Sequence, residues 1–190
     1  MRALSLLLGL AALGSAFVIP ENMTDGVYEV IVDHAGNELH RRIGDADVVG
    51  PIRIRDTNRR KLESRAWKDK LKTNCNCWHD LKHSDTDGAV DALVYQIGPM
   101  RQFKGPSVFS IKGDVVAFAC NPGTKKTYTS NWLIPRLLDE VTEKCGTYVS
   151  GAARQDNGGD YPVAYVGYME SLPGYSLCPT VMNYFKDDHC

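Results

Sequence analysis

Two segments of the chain repeat apolar residues at the spacing of an α-helix. The first segment covers residues 85–97. Its apolar positions lie three or four residues apart or side by side: Ala89, Val90, Leu93, Val94 and Ile97. Ser84 followed by Asp87 resembles a capping box, and Gly98-Pro99 is typical of a helix end. The pattern therefore predicts an amphipathic helix over about 85–97.

The second apolar series predicts a helix that begins near Ser130 or Asn131 and ends at Cys145-Gly146. Its predicted buried side consists of Trp132, Ile134, Leu137, Leu138 and Val141. Its predicted solvent side consists of Asp139, Glu140, Glu143 and Lys144. Pro135 fits only in the first helical turn, because the missing N–H has no helical partner there.

Between and after these helices, the apolar pattern changes to the alternation of β-strands. Residues 107–111 and 115–120 are predicted to form a hairpin, and residues 147–153 and 163–169 a second antiparallel pair. With a further strand over 71–78, the order is strand, helix, strand, strand, helix, strand, strand. This order predicts an α+β fold, an antiparallel sheet with two helices packed on one face.

The N-terminal segment has the composition of a secretory signal peptide. Arg2 precedes an apolar run over residues 3–13, and the small residues 14–16 follow. We expect cleavage after Ala16 and a secreted, extracellular protein; a buried N-terminal helix is the alternative. The run is shorter than the roughly 20 residues of a membrane-spanning helix, so no transmembrane segment is expected. Asn22 begins the single Asn-x-Ser/Thr sequon and is the predicted glycosylation site.

Residues 17–60 differ from the rest of the chain because they contain no cysteine and are rich in arginine towards their end. Arg59 and Arg60 form a dibasic pair that a protease of the secretory pathway could cut. The segment is therefore either a pro-segment that is removed or an N-terminal arm that is retained. In the second case residues 27–32 are a strand of the final fold and the arginines are solvated. Residues 61–190 form the disulfide-bonded domain in both cases.

All six cysteines lie after residue 74: Cys75, Cys77, Cys120, Cys145, Cys178 and Cys190. An even number behind a signal peptide predicts three disulfides. The second helix would carry Cys145 roughly 20 Å from Cys120, whereas a disulfide needs Cα atoms within about 7 Å. The course of the chain instead pairs Cys145 with Cys75 or Cys77, and it pairs Cys120 with Cys178 or Cys190.

Composition narrows the class of protein. The chain has 190 residues, of which 43% are hydrophobic and 24% are charged, and its formal net charge is -1. These values indicate one folded domain rather than a disordered chain or several domains. The chain also lacks the excess of basic residues that nucleic-acid binding requires, so we expect no nucleic-acid partner.

Two segments resemble a known family. Residues 114–123 read Asp-Val-Val-Ala-Phe-Ala-Cys-Asn-Pro-Gly, and residues 143–151 read Glu-Lys-Cys-Gly-Thr-Tyr-Val-Ser-Gly, with a tyrosine-rich strand over 161–168. This pattern is similar to cysteine-rich secreted fungal proteins related to killer toxins and necrosis-inducing effectors. The resemblance covers roughly residues 75 to 170. It implies a killer-toxin-like α/β sandwich, a precursor cut at a dibasic site, and a virulence role against a competing microbe or a host plant.

The sequence lacks the short motifs of serine hydrolases, zinc proteases and P-loop enzymes. Its densest polar group is Cys75-x-Cys77-x-His79-Asp80-x-x-His83. These residues could bind zinc if the cysteines were free, but secretion predicts that the cysteines are bridged. His79, Asp80 and His83 could instead perform acid–base catalysis in a ribonuclease-like hydrolase, which is the alternative function. We expect no catalytic residue, no cofactor and no metal site.

The remaining candidate is a binding surface around the loop at residues 121–131. Aromatic side chains beside a short basic loop are typical of binding faces, although each residue alone fits a solvated turn or a packed strand. The candidate partner-binding residues are Lys125, Lys126, Tyr128, Tyr161 and Tyr175. The leading prediction is a secreted, non-enzymatic fungal effector or killer-toxin-like protein that binds a host or competitor target. A structural or wall-associated protein is a further possibility.

Overall fold

A computed structural model describes residues 17–47, 70–155, 163–183, 185 and 187–190. Within these residues the chain forms nine strands and three helices. Their bounds, in chain order, are β1 (Gly26–Val32), β2 (Glu38–Gly44), β3 (Leu71–Asp80), α1 (His83–Ile97), β4 (Arg101–Phe103), β5 (Ser107–Lys112), β6 (Val115–Cys120), β7 (Thr127–Thr129), α2 (Leu133–Cys145), β8 (Val149–Gln155), β9 (Tyr165–Glu170) and α3 (Leu177–Asn183). The predicted signal peptide, Tyr161 and the Arg59-Arg60 pair lie outside the described residues.

Seven of the strands form one antiparallel sheet in the order β2-β1-β5-β6-β9-β8-β3, and β4 pairs with β7 in a separate two-stranded sheet. The central strand β6 is buried at all six positions. Its alternate residues belong to different hydrophobic clusters, Val115 and Ala117 to one and Val116 and Phe118 to the other. Since successive side chains of a strand point to opposite faces, both faces of the sheet are covered.

The two clusters are built from different parts of the chain. The helix-side cluster contains the buried residues of α1 and α2, among them Leu93, Ile134 and Leu137. The opposite cluster, here called the arm-side cluster, contains Phe17 and Ile19 from the start of the described chain together with buried residues of α3. The predicted α+β class with an antiparallel sheet is confirmed. The prediction of two helices did not include α3, whose residues belong to the second cluster.

The predicted hairpin is present as β5 and β6, and the second predicted pair is present as β8 and β9. The predicted capping box is wrong. Helix α1 begins at His83 and has no side-chain cap, and the Ser84 hydroxyl lies inside the first turn, where it donates to Asp85. Asp85 is held there because it also accepts hydrogen bonds from Lys82 and from the backbone N–H of Asp114.

Helix α2 begins at Leu133, and Pro135 occupies its first turn as predicted. Two side chains differ from their predicted environment. Trp132 precedes the helix and is 49% exposed, with the Arg136 guanidinium 5.5 Å from its ring centre, whereas Glu140 is buried. A helical projection misplaces Trp132 because the residue lies before the first helical turn.

The segment before residue 48 contributes two strands to the seven-stranded sheet. Strand β1 pairs with β2 on one side and with β5 on the other. Asn22 lies on an exposed turn before β1, and its glycosylation stays a prediction. Removal of residues 17–60 also stays a prediction.

The six cysteines form three disulfides, as the sequence predicted. They join Cys75 to Cys145, Cys77 to Cys190 and Cys120 to Cys178, with Cα separations of 5.4, 5.5 and 5.6 Å. This pairing is one of the arrangements that the course of the chain left open. In the described part of the chain, no helix combines the length and the apolar character needed to cross a membrane.

Candidate binding site at the edge of the sheet

Strand β3 forms one edge of the seven-stranded sheet and is interrupted by a wide bulge. Cys75 pairs with Gly151 of β8, and the next paired residue, Asp80, is opposite Val149. Four residues of β3, Asn76–His79, therefore lie opposite the single residue Ser150. We call these four residues the Trp78 bulge. A bulge changes the direction of a strand and redirects its side chains, and bulges are frequent next to functional sites.

Trp78 is the most exposed large apolar side chain among the described residues, at 89%. A tryptophan side chain has 150–250 Å² of surface that burial would remove from water, so leaving it in solvent forgoes a large stabilisation. Both neighbours of Trp78 have a partner elsewhere in the fold: Cys77 is bridged to Cys190, and the His79 ring lies 3.4 Å from the Glu170 carboxylate. The exposed indole is therefore carried by backbone that a disulfide restrains at the preceding residue.

Two disulfides fix the bulge from different directions. The Cys75–Cys145 bridge ties its start to the last residue of α2, and both cysteines are buried in the helix-side cluster. The Cys77–Cys190 bridge ties its middle to the C-terminal tail. Covalent restraint at two positions only two residues apart restricts the bulge to few conformations.

The tail is itself bound to the body of the protein through its backbone. The N–H of Cys75 donates to the Asp187 carbonyl at 2.6 Å, and the N–H of Cys190 donates to the Lys144 carbonyl at 2.9 Å. The first bond covers part of the edge of β3, which would otherwise present unpaired backbone groups to solvent. The second connects the tail to α2.

Four carboxylates belong to the segments that adjoin the Trp78 bulge. Asp80 ends β3, Asp187 and Asp188 lie in the tail, and Glu170 ends β9. The His79 Nδ1 lies 3.4 Å from the Glu170 carboxylate. The hydrogen bond with His189 keeps the pKa of Asp188 below its ordinary value, so this carboxylate stays ionised. A partner that contacts Trp78 would meet acidic groups around it.

A second group of polar side chains lies where α1 begins. The ring of His83 stacks on the ring of Tyr148 with centroids 3.8 Å apart, and the Tyr148 hydroxyl donates to Asp87 at 3.2 Å. Desolvation and the neighbouring Asp87 carboxylate raise the pKa of Tyr148. Tyr148 has a φ of 62°, a left-handed backbone conformation that residues other than glycine seldom adopt. These contacts hold His83 on an aromatic ring.

The structure places the histidines of the predicted catalytic group in different surroundings. His79 faces Glu170 on β9, while His83, the first residue of α1, stacks on Tyr148. Asp80 is exposed at the end of β3. Cys75 and Cys77 are both in disulfides and therefore supply no thiolate to a metal. Among the described residues, no group of three or more His, Cys, Asp or Glu side chains is arranged to hold a metal ion.

The described members of the predicted partner-binding group belong to two segments of the chain, one with Lys125, Lys126 and Tyr128 and the other with Tyr175. Lys125 and Lys126 are exposed on the loop after β6, and Tyr128 is half-buried in β7. The Asn121 amide shapes this loop because its Nδ2 donates to the Lys125 carbonyl at 2.9 Å. Tyr175 lies on the turn before α3, where its carbonyl accepts from the N–H of Ile19.

Trp78 is the last residue of the strand predicted over 71–78 and is not among the functional residues that the sequence predicts. One signal was present, because Trp78 lies directly between a cysteine and a histidine of the polar group. In a regular strand, however, Trp78 would lie on the same face as Asn76 and Asp80, and nothing in the spacing sets it apart from them. The bulge depends on pairing with β8 and on two long-range disulfides, which local spacing does not reveal.

Comparison with known proteins adds no family to this description. No family model matches the chain, and no curated protein or solved structure matches it.

Proposed function

We propose that this protein is a secreted, non-enzymatic binding protein of the killer-toxin-like effector type, and that it contacts its target through the Trp78 bulge. The observation that carries the proposal is the 89% exposure of Trp78 on a backbone held by two disulfides. Tryptophan is the residue type most enriched among interface hot spots, and a fixed backbone lowers the entropy lost on binding. The bulge thus combines contact area with preorganisation.

Secretion is supported by the three disulfides, which form and persist in oxidising compartments. The predicted signal peptide agrees with this. The killer-toxin-like sandwich, with α1 and α2 on one face of the sheet, is supported by their shared hydrophobic cluster. Fungal origin and a virulence role rest on the sequence resemblance.

Binding is favoured over the ribonuclease-like alternative because the groups proposed for acid–base chemistry have different neighbours. His83 is occupied by stacking on Tyr148, and His79 faces a carboxylate. The carboxylates around Trp78 also oppose a polyanionic substrate such as RNA. They suit a partner that presents basic or hydrogen-bond-donating groups beside an apolar surface.

The test is Trp78→Ala, measured on the secreted protein with plant leaves, competing fungal cultures and isolated cell-surface fractions of both. We expect binding to the responsive cell type to weaken by at least about 30-fold, the effect of losing a hot spot worth roughly 2 kcal/mol. The unfolding midpoint should stay within about 1–2 °C of the wild type, since the side chain is exposed.

Trp132→Ala is the matched control, because Trp132 is the same residue type, is 49% exposed and lies in a different segment, just before α2. It should leave binding within a factor of three. Equal loss in both variants, or none in Trp78→Ala, would show that the bulge is not the contact surface. In the latter case Lys125→Glu with Lys126→Glu tests the loop. RNA cleavage that is present in the wild type and lost in His79→Ala would support the hydrolase instead.

A further inference from the structure

Residues 17–47 supply two strands of the sheet and part of the arm-side cluster although they precede the predicted dibasic site. Strand β1 has a strand on each side, and four of its residues are paired with β5, from Gly26 opposite Ile111 to Glu29 opposite Val108. Without residues 17–47, the backbone edge of β5 would be open. Every residue of β5 except the last is buried, and an open apolar edge strand is prone to aggregation.

The start of this segment is an apolar anchor. Phe17 is fully buried in the arm-side cluster, and its ring centre lies 4.8 Å from that of Phe109 on β5. Its carbonyl accepts from the N–H of Leu177 at 2.9 Å, and the Ile19 carbonyl accepts from the N–H of Gly174 at 2.8 Å. These bonds attach the segment to α3 and the preceding turn, on the face away from α1 and α2.

Ion pairs join the same segment to the cysteine-bearing part of the chain. Glu29, whose side chain is only 13% exposed, accepts from Arg101 at 3.1 Å. The Lys112 ammonium lies 3.3 Å from Asp25 and 2.8 Å from Asp47. These two carboxylates raise the pKa of Lys112, so the lysine is charged at physiological pH.

At one point the backbone of the loop before β5 approaches the backbone of β1 very closely. A Cβ placed on Gly105 would lie 1.8 Å from the carbonyl oxygen of Val30 in β1. The loop before β5 therefore contacts β1 at a distance that only glycine permits. The segment contains no cysteine, and all three disulfides join residues after position 74. No covalent bond would therefore connect it to the rest of the protein after a cut between residues 47 and 70.

We propose that residues 17–47 are a permanent, noncovalently bound subunit, and that cutting after them yields a two-chain protein rather than a shortened one. The surface that binds this segment is the edge of β5 together with the arm-side cluster, and its occupant is the protein's own N-terminal segment. Processing then frees a new chain end without removing strands β1 and β2. This inference is independent of the Trp78 bulge, which lies at the opposite edge of the sheet.

The test uses the full secreted chain with residues 57–60 replaced by the recognition sequence of a site-specific protease. After cleavage, native mass spectrometry and size-exclusion chromatography should find both fragments in one particle, with the mass of the uncut protein plus one water. Guanidinium without reductant should separate them. Release of the N-terminal fragment in native buffer would overturn the proposal.

Two variants test the anchor. Phe17→Ala should release the fragment at least about 100-fold faster after cleavage, as expected for truncating a buried phenylalanine. Its neighbour Val18 is partly exposed, so Val18→Ala is the control. It should change the release rate of the N-terminal fragment by less than threefold from that of the cleaved protein without the substitution. Equal release rates would overturn the proposed anchoring. If Phe17→Ala does not fold before cleavage, Glu29→Gln, which weakens the pair with Arg101, takes its place and should also speed release.

Discussion

The bridge between Cys77 and Cys190, the most exposed of the three, should contribute about 4 kcal/mol to the free energy of unfolding. The perturbation is Cys77→Ser with Cys190→Ser, which leaves the other two bridges intact. The cysteines are 113 residues apart in sequence, but the other bridges shorten the loop that this one closes. The shortest closed path has about 39 residues, because it runs through the chain between Cys75 and Cys77, between Cys120 and Cys145, and between Cys178 and Cys190.

Loop-closure entropy depends on the logarithm of loop length, so the shorter path lowers the expected stabilisation only slightly. The chain-entropy relation gives about 3.9 kcal/mol for 39 residues and about 4.8 kcal/mol for 113. For a protein of this size, the loss corresponds to a fall of about 8–16 °C in Tm. The measurement is thermal and guanidinium unfolding followed by circular dichroism, with and without the two substitutions.

The matched comparison is Cys120→Ala with Cys178→Ala. Both of these cysteines are buried in the arm-side cluster, so the double variant loses loop-closure entropy and also leaves a void. It should therefore be less stable than the exposed-bridge variant. A cost below about 1 kcal/mol for the exposed bridge, or a larger cost there than for the buried one, would refute the loop-entropy reasoning.

Two further predictions concern single side chains. Gly167→Ala should destabilise the protein by at least about 2 kcal/mol in guanidinium unfolding, because its Cβ would lie 2.2 Å from the Gly151 carbonyl oxygen. Gly123→Ala, with open space around its Cβ, should be within about 1 kcal/mol of the wild type or more stable; a cost for Gly167→Ala that is also below about 1 kcal/mol would show that β8 can move aside. The hydrogen bond from Lys82 lowers the pKa of Asp85 below its ordinary value of 3.8, so the stabilisation by the carboxylate is present at neutral pH and is lost as pH falls through the folded-state pKa. Asp85→Asn should therefore lower stability at pH 7 and flatten its decline below about pH 4; parallel stability curves for the two proteins over that range would contradict this assignment.

Local patterns were sufficient for the parts of the fold that depend on neighbours in sequence. The β5–β6 hairpin follows from two short, largely apolar runs on either side of Gly113, whose φ of 52° suits the tight connection. Helix α2 follows from a clear 3.6-residue period. By contrast, α3 has only seven residues and contains Pro179, so it shows less than two turns of any period.

The candidate site depended on long-range structure and was not predicted. Its shape results from a break in the β3–β8 register and from bridges to α2 and to the tail. The position of β1 beside β5 is also a long-range pairing, and it was open from sequence whether that strand belongs to the final fold. The loop with Lys125 and Lys126 was recognised as exposed because turn residues signal exposure directly.

The way in which the Trp78 bulge is fixed has an evolutionary consequence. Asn76, Trp78 and His79 are outside both hydrophobic clusters, and sulfur bridges rather than close packing hold their backbone. Substitution at these three positions would therefore require little compensating change in the interior. A lineage could therefore replace the exposed side chains at this edge while the scaffold beneath it is inherited intact.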